Sequence, residues 1–251
     1  MAFENLFIRG YAIRRDEIRE EDGAYLLDLP VLQSDVQLGF HSPVAFFVGE
    51  NGSGKSTLLE ALAVSCGFNP EGGSRNFRFS TSDTHSPLCR HMTVIRGSRR
   101  PKDGFFLRAE SFYNVATEID RLDRENPLLP SLLERYGGKS LHRQSHGESF
   151  LSLVLNRFGG DGLYFLDEPE AALSPSRQLT LLAQIGALAR KGSQFIIATH
   201  SPILMAYPGA EIYVLNEKGA ARTDYRQTEH YQITKQFLEN PARMLEILME
   251  E

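Results

Sequence analysis

Residues 43–59 read PVAFFVGENGSGKSTLL, and this stretch restricts the chain to very few folds. The apolar run at 44–48 passes directly into Gly49-Glu50-Asn51-Gly52-Ser53-Gly54-Lys55-Ser56, which fills the pattern G-x-x-x-x-G-K-[ST]. Gly52 and Gly54 let the backbone turn tightly enough for several N–H groups to face one anion. A helix starting at Lys55 adds its positive end to the same spot. In such a cradle Lys55 has the reach for the β- and γ-phosphates of a nucleoside triphosphate. The Ser56 hydroxyl is placed for Mg²⁺, with Thr57 beside it. Strand, turn, Lys-Ser and helix in this order separate the segment from an ordinary Gly-rich surface turn.

A chain of 251 residues can bury a full α/β core, so one domain spanning 1–251 is expected, with a helical segment inserted at 69–158. A net charge of −5 provides no general attraction to nucleic acid. No stretch approaches 18 apolar residues and the start of the chain does not read as a signal sequence, so work at a membrane would go through a partner. The two cysteines, Cys66 and Cys89, have no metal-ligand spacing and read as reduced, which fits a cytoplasmic setting.

Before the phosphate loop, broken alternation suggests short antiparallel strands around Phe3 to Ile8, at 25–29 and at 36–40. Beyond it, a Gly/Ser/Asn-rich loop at 69–90 holds one short strand at 76–79, followed by strands at 91–95 and 105–108. Helical patterns cover 111–123, 128–136 and 149–158. Strands at 163–166, 194–199 and 211–215 carry continuous apolar runs, as central parallel strands do. Ser174 and Pro175 open a helix that runs to about 191. Short helices follow Pro202, cover 233–239, and run from Pro241 onward.

The strand Leu163-Tyr164-Phe165-Leu166 ends in Asp167-Glu168. There Asp167 suits the shell of a Mg²⁺ ion and Glu168 suits the polarising of a water. The strand at 194–199 ends in His200, a candidate contact to a third phosphate.

Together these motifs closely resemble the ABC-type ATPase heads found in transporter subunits and in SMC and RecF-like chromosome and repair proteins. The resemblance spans nearly the whole chain. The signature usually written LSGGQ falls on Gln144-Ser145-His146-Gly147-Glu148, about twenty residues before the magnesium strand. The stretches DEPEAALSP and ATHSP look like the RecF-like or OLD-like branch. The resemblance implies an α/β P-loop NTPase fold with a mostly parallel central sheet, N-terminal antiparallel strands and a helical signature subdomain. It also implies ATP and Mg²⁺ as ligands, hydrolysis carried by Lys55, Glu168 and His200, and an ATP-dependent head-to-tail homodimer in which Ser145 and Gly147 cap the partner's nucleotide.

Some positions depart from the pattern. His146 stands where glycine is usual and Glu148 where glutamine is usual. The customary metal-side glutamine is missing, with Arg108 or Glu110 in its place; Glu110 is the closer chemical substitute as a metal ligand. Ser174 replaces an aspartate. Neither a Toprim-type acidic module nor a coiled-coil insert is expected. Tyr11 and Tyr25 are candidates to stack on adenine, although a core role suits such residues better.

Three functions follow. The first is an ATPase switch acting on a protein or DNA partner, in repair or phage defence. The second is the energising subunit of a membrane transporter, and the third is a module that binds ATP without turnover. The basic group Arg96, Arg99, Arg100 and Lys102 is the candidate DNA contact, set against a solvated turn.

Overall fold

The computed structural model describes residues 5–33, 35–75, 86–125 and 131–249. Its elements in chain order are β1 (Ile8–Ile13), α1 (Ala24–Asp28), β2 (Val36–Gly39), β3 (Val44–Val48), α2 (Lys55–Ser65), β4 (Met92–Arg96), β5 (Asp103–Arg108), α3 (Phe112–Glu125) and α4 (His146–Arg157). There follow β6 (Gly162–Asp167), α5 (Pro175–Arg190), β7 (Gln194–Ala198), α6 (Pro202–Met205), β8 (Glu211–Asn216), β9 (Gly219–Thr223), α7 (Glu229–Glu239) and α8 (Pro241–Met249), with short 3₁₀ turns between them. The six-stranded sheet has the order β5-β6-β7-β3-β8-β9. All neighbours are parallel except the hairpin β8–β9. A separate antiparallel sheet, β2-β1-β4, is made from the N-terminal strands and the strand after the loop.

Strand alternation sorts the core into two layers. Ala45 and Phe47 of β3, with Leu163 and Phe165 of β6, pack against Leu58, Leu59 and Leu62 of α2 and the three-stranded sheet. Val44, Phe46 and Val48, with Tyr164 and Leu166, pack against α3, α4 and α5 through residues such as Phe112, Phe150 and Leu181. Every residue of β3, β6 and β7 is buried, as expected of strands covered on both faces. Because the strands are parallel, β3, β5, β6, β7 and β8 all end at one edge, where ligands bind in open α/β sheets.

The two sheets are joined by a buried side chain at the other edge. Gln194 Oε1 accepts hydrogen bonds from the backbone N–H groups of Phe7 (2.9 Å) and Ile8 (3.0 Å), and its Nε2 donates to Ile8 O (2.8 Å).

Several sequence expectations change. The strand expected at 25–29 is replaced by helix α1 (Ala24–Asp28), because Ala-Tyr-Leu-Leu-Asp carries no β-branched residue and Gly23 (φ 119°) turns the chain into it. Within the 128–136 pattern the described residues form a 3₁₀ stretch, Leu132–Tyr136; residues 128–130 and the strand expected at 76–79 lie outside the described residues. Strand β9 was not expected, since Gly-Ala-Ala-Arg-Thr shows no alternation of apolar side chains. Tyr11 is fully buried against Phe40 and Phe47 and cannot meet a base, whereas Tyr25 is about half exposed on α1. No helix among the described residues is long and apolar enough to cross a membrane.

The Gln194 junction generates a test. Gln194→Leu leaves two buried N–H groups and one carbonyl without partners, and should cost about 2–4 kcal/mol. Urea unfolding measures it, and a loss below about 0.5 kcal/mol would show that the sheets are joined by apolar packing alone.

Candidate active site

The phosphate loop occupies the edge where β3 ends. Gly52 (φ 79°) and Gly54 (φ 99°) are left-handed, and a Cβ on Gly54 would lie 2.8 Å from Val31 Cγ1, so only glycine fits there. Gly54 is also the N-cap of α2 and offers no side chain to the first turn, which leaves those N–H groups free for an anion. Lys55 is buried. Its Nζ donates to the carbonyls of Gly49 and Glu50 at 2.9 Å each, so the loop holds the ammonium in place without a ligand. Burial pulls its pKa down, opposed by the nearby Glu168, Asp167 and Glu170.

Ser56 Oγ donates to Asp167 Oδ1 at 2.9 Å. This pairing brings together the hydroxyl and the carboxylate singled out for Mg²⁺, both hard oxygen donors of the kind that ion prefers. Of the two substitutes for the missing glutamine, Arg108 turns inward and Glu110 turns out. Arg108 pairs with Glu60 and lies 3.6 Å from Asp167 Oδ2, and its side chain is mostly buried. Glu110 is 87% exposed and meets only the far nitrogen of Arg108, at 3.7 Å. Contact with a metal would require the Glu110 side chain to turn in.

Glu168 has a left-handed backbone (φ 48°), a strained conformation for a non-glycine residue at the end of a core strand. Its N–H donates to Ala198 O at 2.9 Å, and its side chain is partly exposed toward the edge. His200 Nε2 lies 3.8 Å from Glu168 Oε1, and it is buried without a hydrogen-bond partner. Burial, Lys55 and His230 hold the His200 pKa below its usual value, against the pull of Glu168. The ring's other nitrogen, Nδ1, is 3.0 Å from His230 Nε2 on α7.

Sequence reasoning missed His230, and also Glu170 and Gln178. Glu170 is mostly buried; it accepts from Thr199 Oγ1 (2.7 Å) and from the His200 backbone N–H. Gln178 donates to Leu173 O (3.0 Å) and accepts from Ser201 Oγ. These bonds tie the turn after Glu168 to the end of β7. Glu170 was visible as the third acid of the DEPE run, whereas nothing in the sequence marks His230.

Ser145 is the exposed N-cap of α4. Glu148 Oε2 accepts from both its backbone N–H (3.1 Å) and its hydroxyl (2.7 Å), and Arg177 pairs with Glu148 at 3.3 Å. A Cβ on Gly147 would sit 2.6 Å from Ala172 O, so within one chain this glycine is required by packing. His146 stays exposed, edge-on to Phe112 at 5.8 Å. Among the described residues no hydrogen bond or ion pair joins 144–148 to the phosphate loop.

The basic group lies at the opposite edge of the sheet. Arg99 and Lys102 both pair with Asp161, and Arg96 donates to Ser65 O (2.9 Å). Arg96 and Arg99, with Arg75 and Arg100, border a cleft of about 510 Å³. Another cleft, of about 440 Å³, adjoins the phosphate loop at Gly49, Glu50, Asn51 and Ser53; its lining contains Pro30, Asn216 and Glu229 but no aromatic ring.

The site's central acid has a measurable cost. Burial pushes the Asp167 pKa up to about 6, against the pull of Arg108 and the Ser56 hydroxyl. An acid with a raised folded-state pKa keeps its proton longer when folded. Its contribution therefore turns unfavourable as pH rises from about 4 to about 6, and stays so above. In metal- and nucleotide-free buffer at pH 8, Asp167→Asn should be more stable than the parent by about 1–3 kcal/mol, an advantage that vanishes below about pH 4. Thermal melts at both pH values check this; a variant less stable at pH 8 would show that the Arg108 pairing outweighs burial.

Comparison with known proteins agrees with this geometry. Residues 140–206 match a family described as "AAA domain, putative AbiEii toxin, Type IV TA system", and residues 30–112 match one described as "AAA domain". Over 192 residues the chain is 26% identical to an uncharacterized ABC transporter ATP-binding protein of Haemophilus influenzae, covering 70% of each. It is 29% identical to the hemin import ATP-binding protein HmuV of Rhodopseudomonas palustris, over 70% of this chain and 72% of that one. The cytochrome c biogenesis ATP-binding export protein CcmA of Legionella pneumophila (strain Paris) is 27% identical, over 75% of this chain and 94% of its own. In fold the chain is similar to cbiO1 of Clostridium perfringens, part of the ABC transporter complex cbiONQ, with a TM-score of 0.53, 16% identity, and coverage of 97% of this chain and all of that one. The phosphate loop, the acids at the end of β6 and the sheet order give the chain the α/β P-loop fold of ABC-type ATPases, and in sequence it is similar to the ATP-binding subunits of ABC transporters.

Proposed function

We propose that the chain binds Mg-ATP on Gly49–Thr57 and hydrolyses it within a head-to-tail homodimer. The observation that carries this reading is the grouping at one sheet edge of Lys55, the Ser56–Asp167 pair, Glu168 and the partnerless His200 Nε2. Ser56 and Asp167 would hold the metal ion, which supplies charge neutralisation on the phosphates. Lys55 would exchange the Gly49 and Glu50 carbonyls for phosphate oxygens. Glu168 would orient the attacking water, and His200 would donate to the γ-phosphate. Ser145 and the start of α4, exposed in the single chain, would cap the partner's nucleotide. That use requires Ser145 Oγ to leave Glu148, to which it is hydrogen-bonded here.

The work done by this cycle has two readings. The relatives' names favour an energising subunit of a membrane transporter, the reading the sequence alone placed second. Its ATP would be cytoplasmic. A free-standing switch acting on a soluble protein or DNA is favoured by Arg108, which stands where transporter heads carry glutamine and is clamped by Glu60. Asp161 already partly neutralises the basic cleft, so DNA contact there would rest chiefly on Arg75, Arg96 and Arg100.

Glu168→Gln should keep ATP binding while cutting phosphate release by roughly 10²-fold or more, and should accumulate as a dimer in Mg-ATP. Light scattering coupled to size exclusion reads the mass; a monomer under saturating ATP overturns the sandwich. The partners this form retains from detergent-solubilised cells separate the two readings, an integral membrane protein marking the transporter and a soluble protein or DNA marking the switch.

Sharing of the site between subunits has its own test. Ser145→Arg and Lys55→Ala should each hydrolyse almost nothing alone. Mixed in equal amounts with random pairing, about a quarter of the sites carry neither defect, and partial activity should return. Full activity of Ser145→Arg by itself would remove 144–148 from the catalytic cycle.

A further inference from the structure

His200 and His230 meet through nitrogen atoms, Nδ1 of the first and Nε2 of the second, 3.0 Å apart. A hydrogen bond at this distance carries one proton, and either ring can own it. If His200 Nδ1 holds it, His200 Nε2 is a lone pair directed at the catalytic edge. If His230 Nε2 holds it, His200 Nε2 carries the proton and is a donor there. The surroundings decide between the two. Glu168 Oε1 is 3.8 Å from His200 Nε2, that nitrogen has no other partner, and the anion expected on the loop is negatively charged. A lone pair facing two anions is repelled, whereas an N–H is attracted.

Both rings are also held toward the neutral state this bond requires. Burial and Lys55 lower the pKa of each; Glu168 pulls the other way on His200, and Glu229 does so on His230. Glu170 meets His200 at the backbone N–H, which donates to it, and its other oxygen accepts from Thr199 Oγ1, so it leaves the ring free.

The position of His230 is built into the chain around it. Thr228 caps α7 by accepting from the Tyr231 N–H (3.3 Å), while its hydroxyl donates to Tyr225 O (2.7 Å). Tyr225 OH donates to Pro202 O (2.9 Å) at the start of α6, two residues after His200, and its ring packs on Tyr231 at 4.7 Å. The start of α7 is thus fastened to the segment that carries His200.

We infer that His230 is a positioning residue of the ATPase: its Nε2–H donates to His200 Nδ1 and so fixes His200 as the tautomer whose Nε2–H faces the γ-phosphate. This rests on the role given to His200 under the proposed function. In this role His230 acts through the other ring.

The test uses the full chain. Long-range ¹H–¹⁵N spectra of the wild-type protein at pH 8 should show His200 protonated at Nε2, and His230→Ala should give a mixture of His200 tautomers. In steady-state ATPase assays His230→Ala should lower kcat roughly 10- to 100-fold, the scale on which groups that orient a ligand act. KM should move less than about threefold. His230→Gln, whose amide can donate the same bond, should recover most of the loss, with both variants melting near the parent. Three results would overturn the inference: wild-type His200 protonated at Nδ1, an unchanged kcat in His230→Ala, or a Gln variant no better than Ala at equal stability. His200→Ala is run beside them. If it turns over normally, the proposed role of His200 fails, and the wild-type spectrum still reports on the pairing itself.

Discussion

Two separate parts of the chain reach the Asp167 carboxylate, and the site takes its shape from how that buried charge is accommodated. Ser56 approaches from the first turn of α2, Arg108 from the end of β5, and the chain itself turns at Glu168 immediately after it. A carboxylate taken out of water is costly unless it is paired. Here the pairing is incomplete, one hydroxyl and a guanidinium at 3.6 Å, and the acid remains harder to ionise than a free aspartate. The stabilisation this carboxylate lacks from its protein partners is available to a divalent cation, which would favour the charged form outright. Strand order makes this possible, since β6 lies between β5 and β7 and is covered on both faces.

Much of this was legible in the sequence, for a reason that differs from residue to residue. The loop Gly49 to Ser56 can be read because its chemistry needs fixed spacing, and Asp167-Glu168 because two acids ending an apolar strand have few other uses. The burial of Lys55 was not legible. It depends on where two loop carbonyls point, which residue types do not encode. The choice between Arg108 and Glu110 was equally hidden, because both residues leave the sheet at a strand end where the alternation of faces has lapsed. Gly147 shows a different limit. The motif suggested contact with a ligand, while the Ala172 carbonyl alone already excludes any larger residue. Helix α1 and strand β9 were misread or missed for want of periodicity in five-residue elements.

The two edges of the central sheet divide the labour. Nucleotide chemistry collects where the parallel strands end, and structural ties collect where they begin, with Gln194 and Asp161 fastening β7 and β6 to the N-terminal segment and to the basic turn. Arg108 is the residue that connects catalytic and peripheral parts at the upper edge, since it spans Asp167, Glu60 on α2 and Glu110 at the start of the helical segment. A shift of that segment would therefore be felt at the metal-side carboxylate.

Helix α7 contributes a ring to the catalytic edge, yet it has no buried residue of its own, and α8 after it has none either. Beside it runs an apolar groove of about 540 Å³ between α5, α6 and α7, so the helix overhangs the core more than it seals it. Held chiefly by the Thr228 and Tyr225 hydrogen bonds at its start, such an element can open and close locally more often than the molecule unfolds. Each such opening withdraws one imidazole from the pair while the phosphate loop stays intact. Under the proposed roles of His200 and His230, readiness for hydrolysis would then be a population rather than a fixed state, set by the local opening equilibrium of the last twenty or so described residues, and a contact that clamps or frees those residues would change the rate without touching the nucleotide.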